Sequence, residues 1–173
     1  PGDEDDYFQS SLFTIARRRI LWLLILVLAN GLTTKVIAMN DQILKEIVLL
    51  AAFIPLLIGT GGNVGAQSST VVIRGLSTQK LKSLGAIKAV VKESITGALL
   101  GVLMMLVVFP FAWWQGEGPL IASAVGISLI SITTLAATTG AILPLLFDRM
   151  KLDPALMSSP FITTVTDIAG VFI

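Results

Sequence analysis

Five long apolar stretches, at 20–39, 43–73, 94–115, 120–147 and 155–173, constrain this chain more than any other feature of its sequence. Only helices and closed barrels cross lipid, because every backbone polar group there needs an internal partner. A crossing helix takes about 20 mostly apolar residues. The pattern therefore predicts an all-α integral membrane protein with five transmembrane helices. Apolar residues make up 54% of the chain and charged ones 13%, against about 25% charged in soluble domains. That excludes an ordinary soluble domain and a disordered segment alike. The stretch 43–73 would reach about 46 Å as a straight helix at about 1.5 Å per residue, beyond the roughly 30 Å hydrocarbon core. It has to tilt, project into water or break, and Pro55 with Gly59, Gly61, Gly62 and Gly65 marks where.

The basic residues are segregated. Arg17, Arg18 and Arg19 precede the first stretch, Arg74, Lys80, Lys82, Lys88 and Lys92 lie between the second and third, and Arg149 and Lys151 lie between the fourth and fifth. Only Lys35 and Lys45 fall on the other side. The positive-inside rule then puts the N-terminus in the cytoplasm and the C-terminus outside, in a multi-pass protein of the inner or plasma membrane. Residues 1–19 read as an acidic cytoplasmic lead-in (Asp3, Glu4, Asp5, Asp6) and a basic juxtamembrane segment, not as a cleaved signal peptide. Residues 20–173 read as one membrane domain with a basic cytoplasmic loop at 74–93, where 75–92 is expected to form an interfacial helix whose lysines meet lipid headgroups or simply set topology. The chain starts at Pro1 and stops at Ile173 inside an apolar run, so a fragment of a longer protein is expected.

The chain has no cysteine and no histidine. Disulfides, thiol chemistry, His-ligated metals and any Ser-His or Cys-His catalytic arrangement are excluded together. What remains is the polar content of the apolar stretches. Asp167 is the deepest carboxylate, and an ionisable residue inside a span faces a bundle interior or an aqueous path, or is a structural carboxyl that is protonated or hydrogen-bonded. Ser159, Thr163, Asp167 and Gly170 share one helical face, with Phe161, Val165, Ile168 and Phe172 on another. Asp153 before Pro154 is a helix start, and Pro160 should kink the helix by leaving the Leu156 carbonyl without its N–H, to line a cavity or to serve packing.

The second polar cluster runs from Gly59 to Thr70. Read as helix it puts Gly59, Asn63, Gln67, Thr70 and Arg74 on one face, with Gly61 and Gly65 spaced for close helix approach. It is no nucleotide loop, since no Gly-Lys-Ser/Thr follows and it interrupts an apolar span. Asn30 and the series Ser128, Ser131, Thr134 and Thr138 suit interhelical hydrogen bonds, and Gly97 and Gly101 suit packing.

The run from Pro55 to Leu76, with Gly-Gly-Asn-Val-Gly-Ala-Gln and then Val-Ile-Arg-Gly-Leu, closely resembles the transmembrane domain of the MgtE family of magnesium channels. So does the run Asp153-Pro-Ala, Ser159-Pro160 and Thr163-Thr-Val-Thr-Asp167-Ile-Ala-Gly170. The resemblance covers all five stretches. It implies a homodimer with a pore on the two-fold axis, lined chiefly by the second and fifth helices. It further implies that Asp167 and the backbone carbonyl of Thr163 contact a hydrated Mg2+ ion. Ser159, Gly170, Gly59, Asn63 and Gln67 are the further candidates for lining that pore. The family usually carries a cytosolic N-terminal domain and paired CBS domains, and this sequence contains neither.

Elementary chemistry fits that implication. Mg2+ is a hard cation that sheds water reluctantly and suits carboxylate, carbonyl and water oxygens. Two copies of Asp167 on a symmetry axis would balance one divalent ion. A membrane potential of about 100 mV favours its entry by about 4.6 kcal/mol. The expectation is a magnesium-selective channel whose only small ligand is the transported ion, with lipid as its surroundings and no nucleic-acid partner. An ion-coupled divalent-cation transporter and a non-transporting scaffold are the alternatives. An enzyme is disfavoured, because intramembrane aspartyl chemistry needs paired aspartates and each copy embeds one.

Overall fold

The computed structural model describes residues 48–79, 81, 85–116 and 118–173 together with single positions between 11 and 39, and the side chains of these except 48–51, 155–157, 159, 160 and 171. Most of the expected first span and of the segment 80–84, with Asn30 and the side chain of Pro160, lie outside the described residues. Among the described residues four continuous helices follow one another: α1 (Val48–Ser77), α2 (Ala86–Trp114), α3 (Gly118–Arg149) and α4 (Pro154–Phe172). Among the described residues the fold is all-helical, without strands.

Helix ends fall where the backbone can be satisfied rather than where hydropathy drops. α1 runs on past Ile73, and the Arg74 carbonyl accepts bonds from Thr78 N–H (3.1 Å), Thr78 Oγ1 (2.8 Å) and Ser77 Oγ (3.0 Å). Gln79 then turns the chain at φ 56°. The Gly85 N–H bonds the Leu81 carbonyl at 3.0 Å, and Gly85 has a φ of 83°. α2 begins directly afterwards, so Lys88 and Lys92, expected on a separate interfacial helix, ride on the first turns of the long helix instead. Alanine and lysine are good helix formers, and charge ends an apolar run without ending a helix. Lys151 in the left-handed region (φ 59°) closes α3, with Leu152 N–H on the Phe147 carbonyl at 2.9 Å, the bond that satisfies a terminal carbonyl after such a turn. α1 passes unbroken through Pro55 and the glycine cluster, so of the three outcomes open to the long stretch, breakage does not occur.

α3 is the central helix, packed against the other three, and α2 barely touches α1. Glycines set the crossings. A Cβ on Gly61 would meet Ile132 at 2.8 Å, and one on Gly65 would meet the Ala136 carbonyl at 3.2 Å, so α1 and α3 run parallel. At Gly140 a Cβ would collide with the Gly65 backbone. Gly97 sits against Ala137 and Thr133, and Gly101 against Ile130, which makes α2 antiparallel to α3, with the Ser94–Thr138 hydroxyl contact at 2.7 Å across the same seam. α4 is antiparallel to α1: Ile58 lies against Gly170, Gly61 against Thr166 and Gly65 against Ile162. The larger core side chains, Phe53, Leu57, Val108 and Leu129, fill one half of the bundle. Toward the basic end the glycine, alanine, serine and threonine contacts are joined by the buried Val72, Pro144, Phe147 and Ile162.

Alternating direction sorts the charges. Arg74, Lys88, Lys92, Arg149 and Lys151 all fall at one end of the four helices, and the exposed Trp113 and Trp114 fall at the other. By length and composition α2 and α3 are the described helices apolar enough to cross a membrane. α1 is diluted by its Gly, Asn, Gln, Ser and Thr residues, and α4 by Ser, Thr and Asp.

The crossing geometry separates two kinds of glycine. Gly140→Val should destabilise the bundle by about 3 kcal/mol, because the obstacle is backbone and cannot rotate away. Gly59→Ala, with nothing within 4 Å of the new Cβ, should gain about 0.5–1 kcal/mol from helix propensity. Thermal unfolding of both variants in detergent checks the pair.

Candidate functional site

α1 presents two faces at the level of its polar cluster. Gly61, Val64, Gly65, Ser68, Ser69 and Val72 are buried against α3 and α4, whereas Gly59, Asn63, Ala66, Gln67, Thr70 and Arg74 are exposed. The face grouped from helical spacing is thus the outward one. Asn63, Ala66, Gln67, Thr70 and Val71 line an open groove of about 460 Å³, where the Thr70 hydroxyl bonds back to the Ala66 carbonyl at 2.8 Å. The Asn63 and Gln67 amides can both donate and accept there, whereas the Thr70 hydroxyl has its proton engaged by the Ala66 carbonyl. The glycines that let α1 approach its neighbours belong to the opposite face. Their small-residue contact is within the chain, so it lends no support to a contact between two copies.

On α4 the expected stripe divides. Thr163 is exposed and Asp167 partly exposed, but Gly170 is buried against Ile58, with a Cβ there at 2.8 Å from Ile58 Cγ1. Gly170 lies on the stripe Ser158, Ile162, Thr166 and Gly170 that faces into the bundle. The side chain of Ser159 lies outside the described residues. Phe161, placed from sequence on the lipid face, is 41% exposed and stacks on Phe147 with ring centroids 5.5 Å apart.

The antiparallel register fixes depth. With Gly61 and Gly62 beside Thr166, and Gly65 beside Ile162, Asn63 lies at the depth of the turn between Thr163 and Asp167. Gly59 lies beyond Asp167, and Gln67 lies nearer the basic end. Among the described residues no three His, Cys, Asp or Glu side chains converge on a metal-sized site. Asp167, the single carboxylate of α4, stands one turn after the Thr163 carbonyl and at the depth of the Asn63 amide. Such a set suits an ion that keeps its water shell better than one that is stripped and caged.

Two features were not read from sequence. Thr166 is fully buried, and its hydroxyl donates both to the Ile162 carbonyl and to the Thr163 carbonyl, at 2.9 Å each. Its spacing of three from Thr163 was the available signal. The second is a cavity of about 420 Å³ at the basic end, walled by Val71, Val72, Leu81 and Ala89 with Arg74, Lys92 and Glu93. Of the hydroxyls expected to bridge helices, Ser128 reaches the Ile173 carbonyl (3.3 Å) and Thr138 reaches Ser94. Ser131 and Thr134 instead bond within α3, to the Ile127 (3.0 Å) and Ile130 (2.6 Å) carbonyls. A hydroxyl in a helix always has the preceding turn's carbonyl within reach, and only the helix's roll brings it a second partner.

A family model described as divalent cation transporter, MgtE, matches residues 54–173, which takes in nearly all of α1 and the whole of the other three helices. The chain belongs to the MgtE family. It is 37% identical over 155 residues to the magnesium transporter MgtE of Thermus thermophilus, covering 90% of this chain and 34% of that protein. With the magnesium transporter MgtE of Bacillus subtilis it shares 33% over 171 residues, 98% of this chain and 38% of the relative. The Enterococcus faecalis magnesium transporter MgtE is 34% identical over 162 residues, covering 91% of this chain and 35% of its own length. The chain thus spans about a third of the length of these MgtE relatives.

The two faces of α1 can be told apart chemically, because the chain has no cysteine of its own. Asn63→Cys and Gln67→Cys, introduced singly in bilayer-embedded protein, should label with a charged water-borne thiol reagent, and Val64→Cys and Ser68→Cys should resist it. Equal labelling on both faces would contradict the roll of α1.

Proposed function

We propose that this chain forms the ion-conducting part of a magnesium channel. Two copies enclose a pore on their two-fold axis, lined by α1 and α4, and hydrated Mg2+ enters the cytoplasm down its electrochemical gradient. The observation that carries this reading is the exposed amide of Asn63 lying at the depth of the Thr163–Asp167 turn in an otherwise apolar bundle. Polar groups at membrane depth persist where they line water or find partners, and the relatives at 33–37% identity are magnesium transporters.

With 20–39 as a further span, the chain crosses five times. The gathering of Arg74, Lys88, Lys92, Arg149 and Lys151 at one end supports a cytoplasmic placement of that end, with the N-terminus inside and the C-terminus outside. Two Asp167 carboxylates then carry a charge of minus two against the ion's plus two. They accept charge-assisted hydrogen bonds from its water, and the Thr163 carbonyls accept further ones, so the dehydration cost is largely avoided. A potential of about 100 mV supplies about 4.6 kcal/mol per ion, which makes passive entry sufficient.

The test is Asp167→Asn. It preserves shape and hydrogen bonding but removes both charges, so half-saturating Mg2+ should rise on the order of tenfold, equivalent to about 1.4 kcal/mol. Discrimination against Na+ should fall with it. Proteoliposomes driven only by a potassium diffusion potential are the assay. Wild-type selectivity in a folded Asp167→Asn dimer would overturn the pore site. A requirement for a proton or sodium gradient would replace the channel by a coupled carrier.

A further inference from the structure

We propose that Thr166 is a positioning residue that sets how tightly the pore holds its ion, by sharing one hydroxyl proton between the carbonyls of Ile162 and Thr163. The inference rests on the pore reading of Asp167 and Thr163. Thr166 is fully buried, and its side chain has one seat. Its γ-methyl packs where Gly61 leaves room, 3.6 Å from where a Cβ would stand, and its hydroxyl faces Gly62 at 4.0 Å from the corresponding point. The seat leaves the hydroxyl two acceptors, both at 2.9 Å, and it has one proton to give.

Thr133, the other fully buried threonine, behaves differently. It bonds the carbonyl four residues back at 2.7 Å and the one three back at 3.2 Å, a clear preference for the earlier turn. At Thr166 the preference is gone, and the acceptor that gains is the carbonyl assigned to the ion's water shell. In the helix that oxygen also receives the N–H of Asp167. Donors on one oxygen compete: each lowers the electron density left for the next.

Swinging the proton to Ile162 frees the Thr163 carbonyl to take a water of the arriving ion, and swinging it back helps release that water. The two positions are equivalent by distance, so the exchange needs no movement of backbone or side chain. Conduction requires a site strong enough to be entered and weak enough to be left. A buried hydroxyl that competes with the ion's water supplies the second condition without adding charge.

The experiment measures Mg2+ block of Na+ current through the purified full chain in planar bilayers. Thr166→Val is isosteric, keeps the methyl against Gly61 and removes the competing proton. Half-blocking Mg2+ should fall about threefold, the scale of one net hydrogen bond, and saturating Mg2+ current should fall as well. Thr166→Ser keeps the proton and should match wild type, which a merely structural role for the methyl would not give. If Thr166→Val fails to fold, Thr166→Ala carries the same expected fall. An unchanged or higher half-blocking concentration in a folded variant without the hydroxyl overturns the inference. Asp167→Asn run in parallel separates the failures: block lost there but unchanged in Thr166→Val removes the Thr166 role alone, and block unchanged in both removes the pore site with it.

Discussion

The bundle hangs on the backbone contact between Gly65 of α1 and Gly140 of α3. No side chain separates the two helices at that point, and a Cβ on either would strike the other's main chain or the side chain of Ile162. Such an approach fixes the distance between the helices and the roll of each about its axis, because rotating α1 by even one residue would bring Val64 or Ala66 into the contact. In a lipid-like setting apolar surface gives little preference for one helix face over another, so close packing and small residues have to supply it. Once Gly61 and Gly65 face α3, Asn63 and Gln67 face outward, and the polar groove follows from the glycines rather than from any attraction among the amides.

The same contact propagates to α4. Gly61 and Gly62 leave the space that Thr166 fills, and Ile162 and Gly170 complete the seam with Gly65 and Ile58. This register holds the Thr163–Asp167 turn beside the polar part of α1 rather than beside its apolar start near Phe53. Electrostatics enters only at the ends. Arg74, Lys88, Lys92, Arg149 and Lys151 collect on one surface and Trp113 and Trp114 on the opposite one, the distribution that orients a membrane protein. Between those surfaces Asp167 is the single carboxylate of α4, at the depth of the Asn63 amide.

Hydroxyls show how far periodicity can be trusted. Spacing placed Ser128, Ser131, Thr134 and Thr138 together on α3, yet Ser131 and Thr134 satisfy themselves on carbonyls of their own helix. Ser128 and Thr138 also touch another helix, at opposite ends of the series, because α4 and α2 meet α3 at different heights. The likeness in sequence hides a difference in neighbours. Gly170 makes the same point on α4: it shares a stripe with Asp167 by arithmetic, and packing turns it inward against Ile58.

The sequence by itself determined the helical class, the family, the grouping of the polar residues on one face of α1 and the start of α4 at Pro154. Each follows from composition, turn chemistry or a period within one segment, which the backbone must obey wherever it lies. Residues 86–92 were legible as helix, within an interfacial segment over 75–92, but not as the first turns of the long helix α2, because hydropathy reports solvent preference and α-helical hydrogen bonding does not depend on it. Only the tertiary structure decided which glycines are contacts, that Asn63 shares its depth with the Thr163–Asp167 turn, and that Thr166 divides its proton beneath that turn. The first two are relations between segments far apart in the chain, set by the Gly65–Gly140 approach and the antiparallel seam, and the third is a pair of bonds within α4 beneath that seam; no period within a single segment encodes the height at which two helices meet.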